Sequence, residues 1–140
     1  MLYQTAVIYS RGSMFPGQRL IPTAHQSDIH ADTERRCVAI LNMASSHLEM
    51  HLMELRQVGF SLFMVGVAST QPDAKVQAMN LMTAFQREGG IGQNTYRTRQ
   101  LLAEVCEEQR AVVSRGGRME QVDWLTVAKE RGLGIVNCGL

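Results

Sequence analysis

Arg11 and Ser13 stand two residues apart at the end of the apolar run TAVIYS, residues 5–10. A hydroxyl beside a guanidinium can attack a phosphate if a base takes the serine proton and the cation steadies the charge on the nonbridging oxygens. Arg11 can supply only the second of these, and without a base the same pair simply begins a solvated loop. The other candidates point to less chemistry. His47 and His51 lie four residues apart, a spacing that puts two imidazoles on one helix face as metal-binding helices do. No glutamate directly follows His47, however, so the zinc-protease pattern is missing. His25 and His30 fall in or near a loop, and no metal is expected. Gly89 to Gly92 reads GGIG but follows a helical segment and lacks the lysine and serine or threonine of a phosphate loop, so it marks a helix break. The nine methionines recur at helical spacing, as core filler does. No cofactor is expected.

Those residues have to be positioned by the elements around them. Residues 3–9 alternate Tyr3, Thr5, Val7 and Tyr9 with Leu2, Ala6 and Ile8, which predicts a first strand, apolar on both faces. The following RGSMFPGQRLIPTAHQSD holds two of the three prolines and reads as a long loop. The run from Cys37 to Leu41 is either a second buried strand or the middle of a helix starting near Asp32. From Ser46, the spacing of Leu48, Leu52 and Leu55 predicts a helix that Ser46 caps and Gly59 stops. FSLFMVGVAST then predicts a second strand over 60–67, next to the first in one sheet.

Pro72 opens a further helix with acid in its first turn and a stripe of Val76, Met79, Met82 and Phe85. A segment ending at Gly116 carries Leu101, Val105 and Val112 on a narrow apolar seam, and a last helix holds Trp124 and Ala128. GIVNC, near the end, is a candidate short strand. The expected fold class is α/β, a small, mostly parallel sheet with helices packed around it and a helix-rich C-terminal half. The 140 residues suit a single domain, 1–140, with 97–131 as its helical C-terminal part.

Composition narrows the partners. Hydrophobic residues make up 45% and charged residues 19%, a globular balance, and no apolar run is long enough to span a bilayer. Neither a secretion signal nor a transit peptide is visible, so the expected address is cytoplasmic. Cys37, Cys106 and Cys138 are too few and too irregularly spaced for a zinc or disulfide framework, which predicts reduced thiols. A formal net charge of +1 gives no global pull toward nucleic acid. The seam on residues 97–113 is hard to bury in so small a core, which predicts a homodimer through that helix.

Tyr9-Ser10-Arg11-Gly12-Ser13 resembles the Tyr-x-Arg-x-Ser start of the serine recombinases, the resolvases and DNA invertases of mobile elements. ELRQVGFSLFMVGVAST looks like that family's helix, glycine and next strand. LMTAF resembles the beginning of its long dimerisation helix, and YRTRQLL the Arg-Thr-Arg segment farther along. The resemblance implies that Ser13 is the nucleophile and Arg11 the cation beside it, and that Arg87, Arg97 and Arg99 contribute to nucleic-acid binding. Two departures stand against activity. LNMASS replaces an Asp-Arg-x-x-Arg motif that supplies further charge, and REGGIGQN interrupts the long helix. The resemblance therefore implies a DNA-associated protein of a mobile element, with binding that is weak, salt-sensitive and without cleavage. The alternative is a small dimeric interaction protein that regulates or inhibits a protein partner.

Overall fold

Residues 55–68 read LRQVGFSLFMVGVA and carry no charge after Arg56. A helix that is apolar all round has to be enclosed on every side. The computed structural model, which describes residues 1–12, 26–49, 55–89 and 92–133, encloses it: this helix packs against four others. The order is α1 (Leu2–Gly12), α2 (Gln26–Glu49), α3 (Leu55–Ala68), α4 (Pro72–Gly89), α5 (Gly92–Ser114), a short 3-10 turn (Met119–Gln121) and α6 (Trp124–Glu130). Central α3 touches α1, α2, α4 and α5, while α6 sits on α5.

The surrounding helices are amphipathic at helical spacing. On α5 the buried residues are Thr98, Leu101, Leu102, Val105, Cys106 and Gln109, with Arg97, Gln100, Glu107 and Arg110 exposed. Cys37, Ile40, Leu41 and Ala44 form the buried stripe of α2, and Ala78, Leu81, Met82 and Phe85 that of α4. Deep in the core, Thr5 Oγ1 donates to Ser61 Oγ at 2.8 Å and joins α1 to α3. A run of rings, Tyr9, Phe60, Phe63 and Trp124, continues from α1 across α3 to α6, and Phe63 meets Trp124 edge to face at 5.1 Å.

The ends follow local chemistry. Pro72 opens α4 as its sequence predicts, because the first turn of a helix has no use for that amide proton. Gly116, at φ 81°, closes α5: the Gly117 amide turns back to the Val112 carbonyl at 2.9 Å. Asp123 caps α6, accepting from the amides of Leu125 and Thr126, each at 3.2 Å.

The expected α/β class is corrected. Among the described residues there is no strand, and so no sheet for the helices to pack around. Residues 3–9 lie within α1 and 60–67 within α3. Both runs are short and apolar, and a run of that kind looks the same whether it is a buried strand or a buried helix. The Cys37–Leu41 run is the middle of a helix, as its second reading had it, though α2 begins at Gln26. The helix expected over Ser46–Gly59 is misplaced at both ends, since α2 runs through Ser46 to Glu49 and α3 runs through Gly59. Most of the predicted long loop and the GIVNC segment lie outside the described residues.

Part of the seam on α5 finds its cover inside the chain, while Val112 is half-buried and Val113 exposed. Leu101 and Val105 are buried in the core, so they offer no open face to a second copy. No described helix is long and apolar enough to cross a membrane.

Gly66 is where α5 comes closest to α3. A Cβ built there would lie 2.5 Å and 2.6 Å from the two methyl carbons of Leu102, itself fully buried. Gly66→Ala is expected to destabilise the fold, because overpacking of about 1–3 kcal/mol outweighs the gain in helix propensity of roughly 1 kcal/mol. Leu102→Ala should cost about 2–5 kcal/mol through the cavity it leaves. The double variant should be more stable than Leu102→Ala alone, since the new methyl enters the vacated space. Urea unfolding of the four proteins checks this, and strict additivity would remove the close-packing account.

Candidate functional site

Arg11 sits in the last turn of α1 and is committed to a carboxylate. Its Nη1 donates to Asp32 Oδ2 on α2 at 2.7 Å. Arg36 Nε reaches the same oxygen at 2.8 Å, and Arg35 reaches Oδ1 at 3.3 Å. Arg36 also donates to Gln4 Oε1 and lies 5.6 Å from the centre of the Tyr3 ring. The hydrogen bonds from Arg36 and Arg11 hold the Asp32 carboxyl below its ordinary value. Three guanidiniums on one carboxylate clamp α1 to α2 and leave a cationic surplus at that surface. Ser13, the predicted nucleophile, lies outside the described residues.

The other predicted residues belong to a different pair of helices. Arg87 is exposed in the last turn of α4, and Arg97 is exposed on α5. Arg99 is half-buried on α5, and its Nη1 donates to Thr83 Oγ1 on α4 at 3.2 Å. Arg11 is thus held against α2 and Arg99 against α4. Beside Arg99 the antiparallel α4 and α5 part to form a groove of about 480 Å³. Val76, Met79 and Thr83 line one wall, and Tyr96, Arg99 and Ala103 the other.

A second polar constellation went unread in the sequence. It gathers at the C-terminal end of α3, where the last carbonyls of a helix have no partner of their own. Lys75 Nζ, from α4, donates to the Gly66 carbonyl at 2.6 Å and to Gln109 Oε1 at 2.7 Å. Gln109 Nε2, from α5, donates to the Val67 carbonyl at 2.9 Å. From α2, Glu34 accepts from the Ser69 hydroxyl at 2.8 Å and from the Thr70 amide at 2.6 Å. An ammonium at this helix end also suits the helix dipole. Burial pushes the Lys75 pKa down, partly offset by nearby Cys106 and then Glu34. Single lysines and glutamines on helix faces are ordinary in any sequence, so no spacing flags these three.

Cys37 and Cys106 are buried free thiols close to this knot. Burial, followed by the Glu34 carboxylate, pushes Cys37 up to about 12, and burial raises Cys106 as well. Neither has the depressed pKa of a reactive cysteine. Among the described residues no group of histidines, cysteines and acids is arranged to hold a metal. His30 is exposed and His47 half-buried on α2, while His25 and His51 lie outside the described residues.

Two outcomes follow. In a Cys138→Ser background, Cys37 and Cys106 should resist a disulfide reagent at about pH 8 and react once the chain is unfolded. At that pH roughly one Cys37 in ten thousand is a thiolate. Fast native labelling would contradict their burial. The Asp32 clamp should show in acid. A depressed carboxylate contributes stability above its unfolded value, lost as pH falls through its folded value. Wild type should therefore be more stable than Asp32→Asn at about pH 6, with the gap closing below about pH 4. Thermal melts across that range test it.

The comparisons with known proteins bear on what these helices are for. No curated protein and no solved structure matches the chain. A family model described as the fungal specific transcription factor domain matches residues 3–138, which take in every described helix, all but the first residue of α1 included. That match, with helices where the two strands were expected, overturns the serine recombinase resemblance, and with it the reading of a mobile-element protein. The quoted recombinase pieces are short: YRTRQLL is a stretch of α5, LMTAF of α4, and Gly59 to Ala68 of the glycine-to-threonine piece lies on α3. A match over nearly the whole length decides the family: this chain belongs to the fungal specific transcription factor domain family.

Proposed function

We propose that the chain is a helical regulatory module of a fungal transcription factor, one that adjusts transcriptional output through its surface and makes no sequence-specific DNA contacts of its own. The observation that carries this reading is the family match over residues 3–138. The distribution of charge supports the second half. Arg11, Arg35 and Arg36 converge on Asp32, Arg115 pairs with Glu108, Arg118 with Glu120, and Arg131 with Glu104. A guanidinium engaged by a carboxylate has less to offer a phosphate, and a formal net charge of +1 gives no basic face of the kind that DNA-binding domains use. Under this reading the chain works in the nucleus. A homodimer through α5 forms no part of it, since Leu101 and Val105 are buried within the chain.

The test joins residues 1–140 to a heterologous DNA-binding domain at a reporter promoter in a fungal host. Reporter output should change severalfold relative to the DNA-binding domain alone. In parallel, gel retardation by the isolated chain should show no preference among DNA sequences and should vanish as salt is raised. An unchanged reporter with a folded, helical fusion, or sequence-selective DNA retention, would overturn the reading.

A further inference from the structure

We propose that the groove between α4 and α5 is a binding site for a small organic carboxylate with an apolar body. Its volume of about 480 Å³ lies within the usual range for small-molecule sites. The walls divide into two kinds of surface. Val76, Met79 and Ala103, with the ring of Tyr96, supply apolar contact; Val76 is 52% and Tyr96 50% exposed, so large apolar groups stand in water at the groove. Covering them releases that surface from water. The polar lining consists of Asn80, Thr83, Gln100 and Arg99.

Arg99 decides the sign of the ligand. The Thr83 hydroxyl donates to the Met79 carbonyl at 2.9 Å, which turns its lone pairs outward, and Arg99 Nη1 donates into them at 3.2 Å. The guanidinium lines the groove with a neutral hydroxyl as the partner of Nη1, and a guanidinium carries five N–H donors in a rigid fork. No described residue lining the groove is acidic. A half-buried cation with no acid among the described lining residues favours an anion, and the planar fork matches a carboxylate bidentately.

The rest of the lining selects among anions. A phosphate monoester carries close to two charges and is poorly served by one cation among apolar side chains. A DNA backbone would meet Val76 and Met79 where it needs further cations. A monocarboxylate leaves one charge for Arg99, and its apolar remainder lies on Met79, Ala103 and Tyr96. Asn80 and Gln100 can bond a further polar group and so set orientation. The site stands whether or not the chain regulates transcription, since it is read from the groove alone.

The experiment titrates the whole chain with 4-phenylbutyrate, its methyl ester and phenyl phosphate, followed by methyl and amide NMR shifts. The acid should produce saturable shifts at Met79, Tyr96 and Ala103. The ester and the phosphate should each bind at least about tenfold more weakly, the loss expected when a hydrogen bond to a charged group is missing or poorly matched. Arg99→Gln should weaken the acid by a similar factor while leaving the ester unchanged. Absence of saturable shifts up to about 10 mM, equal binding of acid and ester, or shifts confined to the Arg11, Arg35 and Arg36 surface would overturn the proposal. The acid and ester comparison on the unaltered chain keeps the test valid if Arg99→Gln fails to fold.

Discussion

Everything in this fold answers to the fact that α3 has no polar face. A surface helix needs one neighbour for its apolar stripe, but a helix buried over Val58, Ser61, Leu62, Phe63, Met64 and Val65 needs neighbours on every side. That requirement sets the number of surrounding helices and their character. α1, α2, α4 and α5 each direct a stripe inward, and α6 closes one side through Trp124. It also sets where small residues go: α5 can lie close to α3 because position 66 is glycine and Leu102 fills the space above it.

Enclosure creates a polar problem at the end of the enclosed helix, and the solution shapes the surface. The last carbonyls of α3 cannot all reach water, so side chains from its neighbours come to them. Lys75 and Gln109 arrive from opposite sides, and Glu34 secures the turn that follows. Such groups are held here by the needs of a buried backbone. Lys75 resembles an active-site group in being half-buried, charged and lowered in pKa, yet the partners of its ammonium are the Gly66 carbonyl and Gln109, both structural. A constellation of perturbed groups is evidence of chemistry only when some of their bonding capacity is left over.

The legible part of the sequence was the part whose signals are local. Pro72 with Asp73 marks the start of α4, and the glycine at 116 marks the end of α5. Leu101 and Val105 were read as apolar and helical, as they are. The class of the fold was not legible, because it turned on residues 3–9 and 60–67, whose apolar and β-branched content reflects enclosure and not backbone preference. Reading α3 as a strand stopped its predecessor at Gly59 and removed the one element around which the rest is arranged. The Arg11–Ser13 pair misled for a related reason. Two residues of suitable type, two apart, suggest chemistry only if they leave a strand together, and on a helix Arg11 instead turns toward Asp32. Arg99 was named only as a DNA-contacting residue; its bond to Thr83 on another helix joins two positions 16 apart that no local spacing pairs in advance.

The knot at the end of α3 has a mechanical consequence. Lys75 and Gln109 bond α4 to α5 at the ends of the two helices remote from the 90–91 connection, whereas Arg99 bonds to Thr83 near the end where the chain itself joins them. The antiparallel pair is thus held by covalent linkage at one end and by a half-buried ammonium at the other. Glu34 brings α2 to the same place through Ser69 and Thr70. Loss of the Lys75 ammonium would remove the bonds to Gly66 and to Gln109 together, at the end where no covalent link holds α4 to α5.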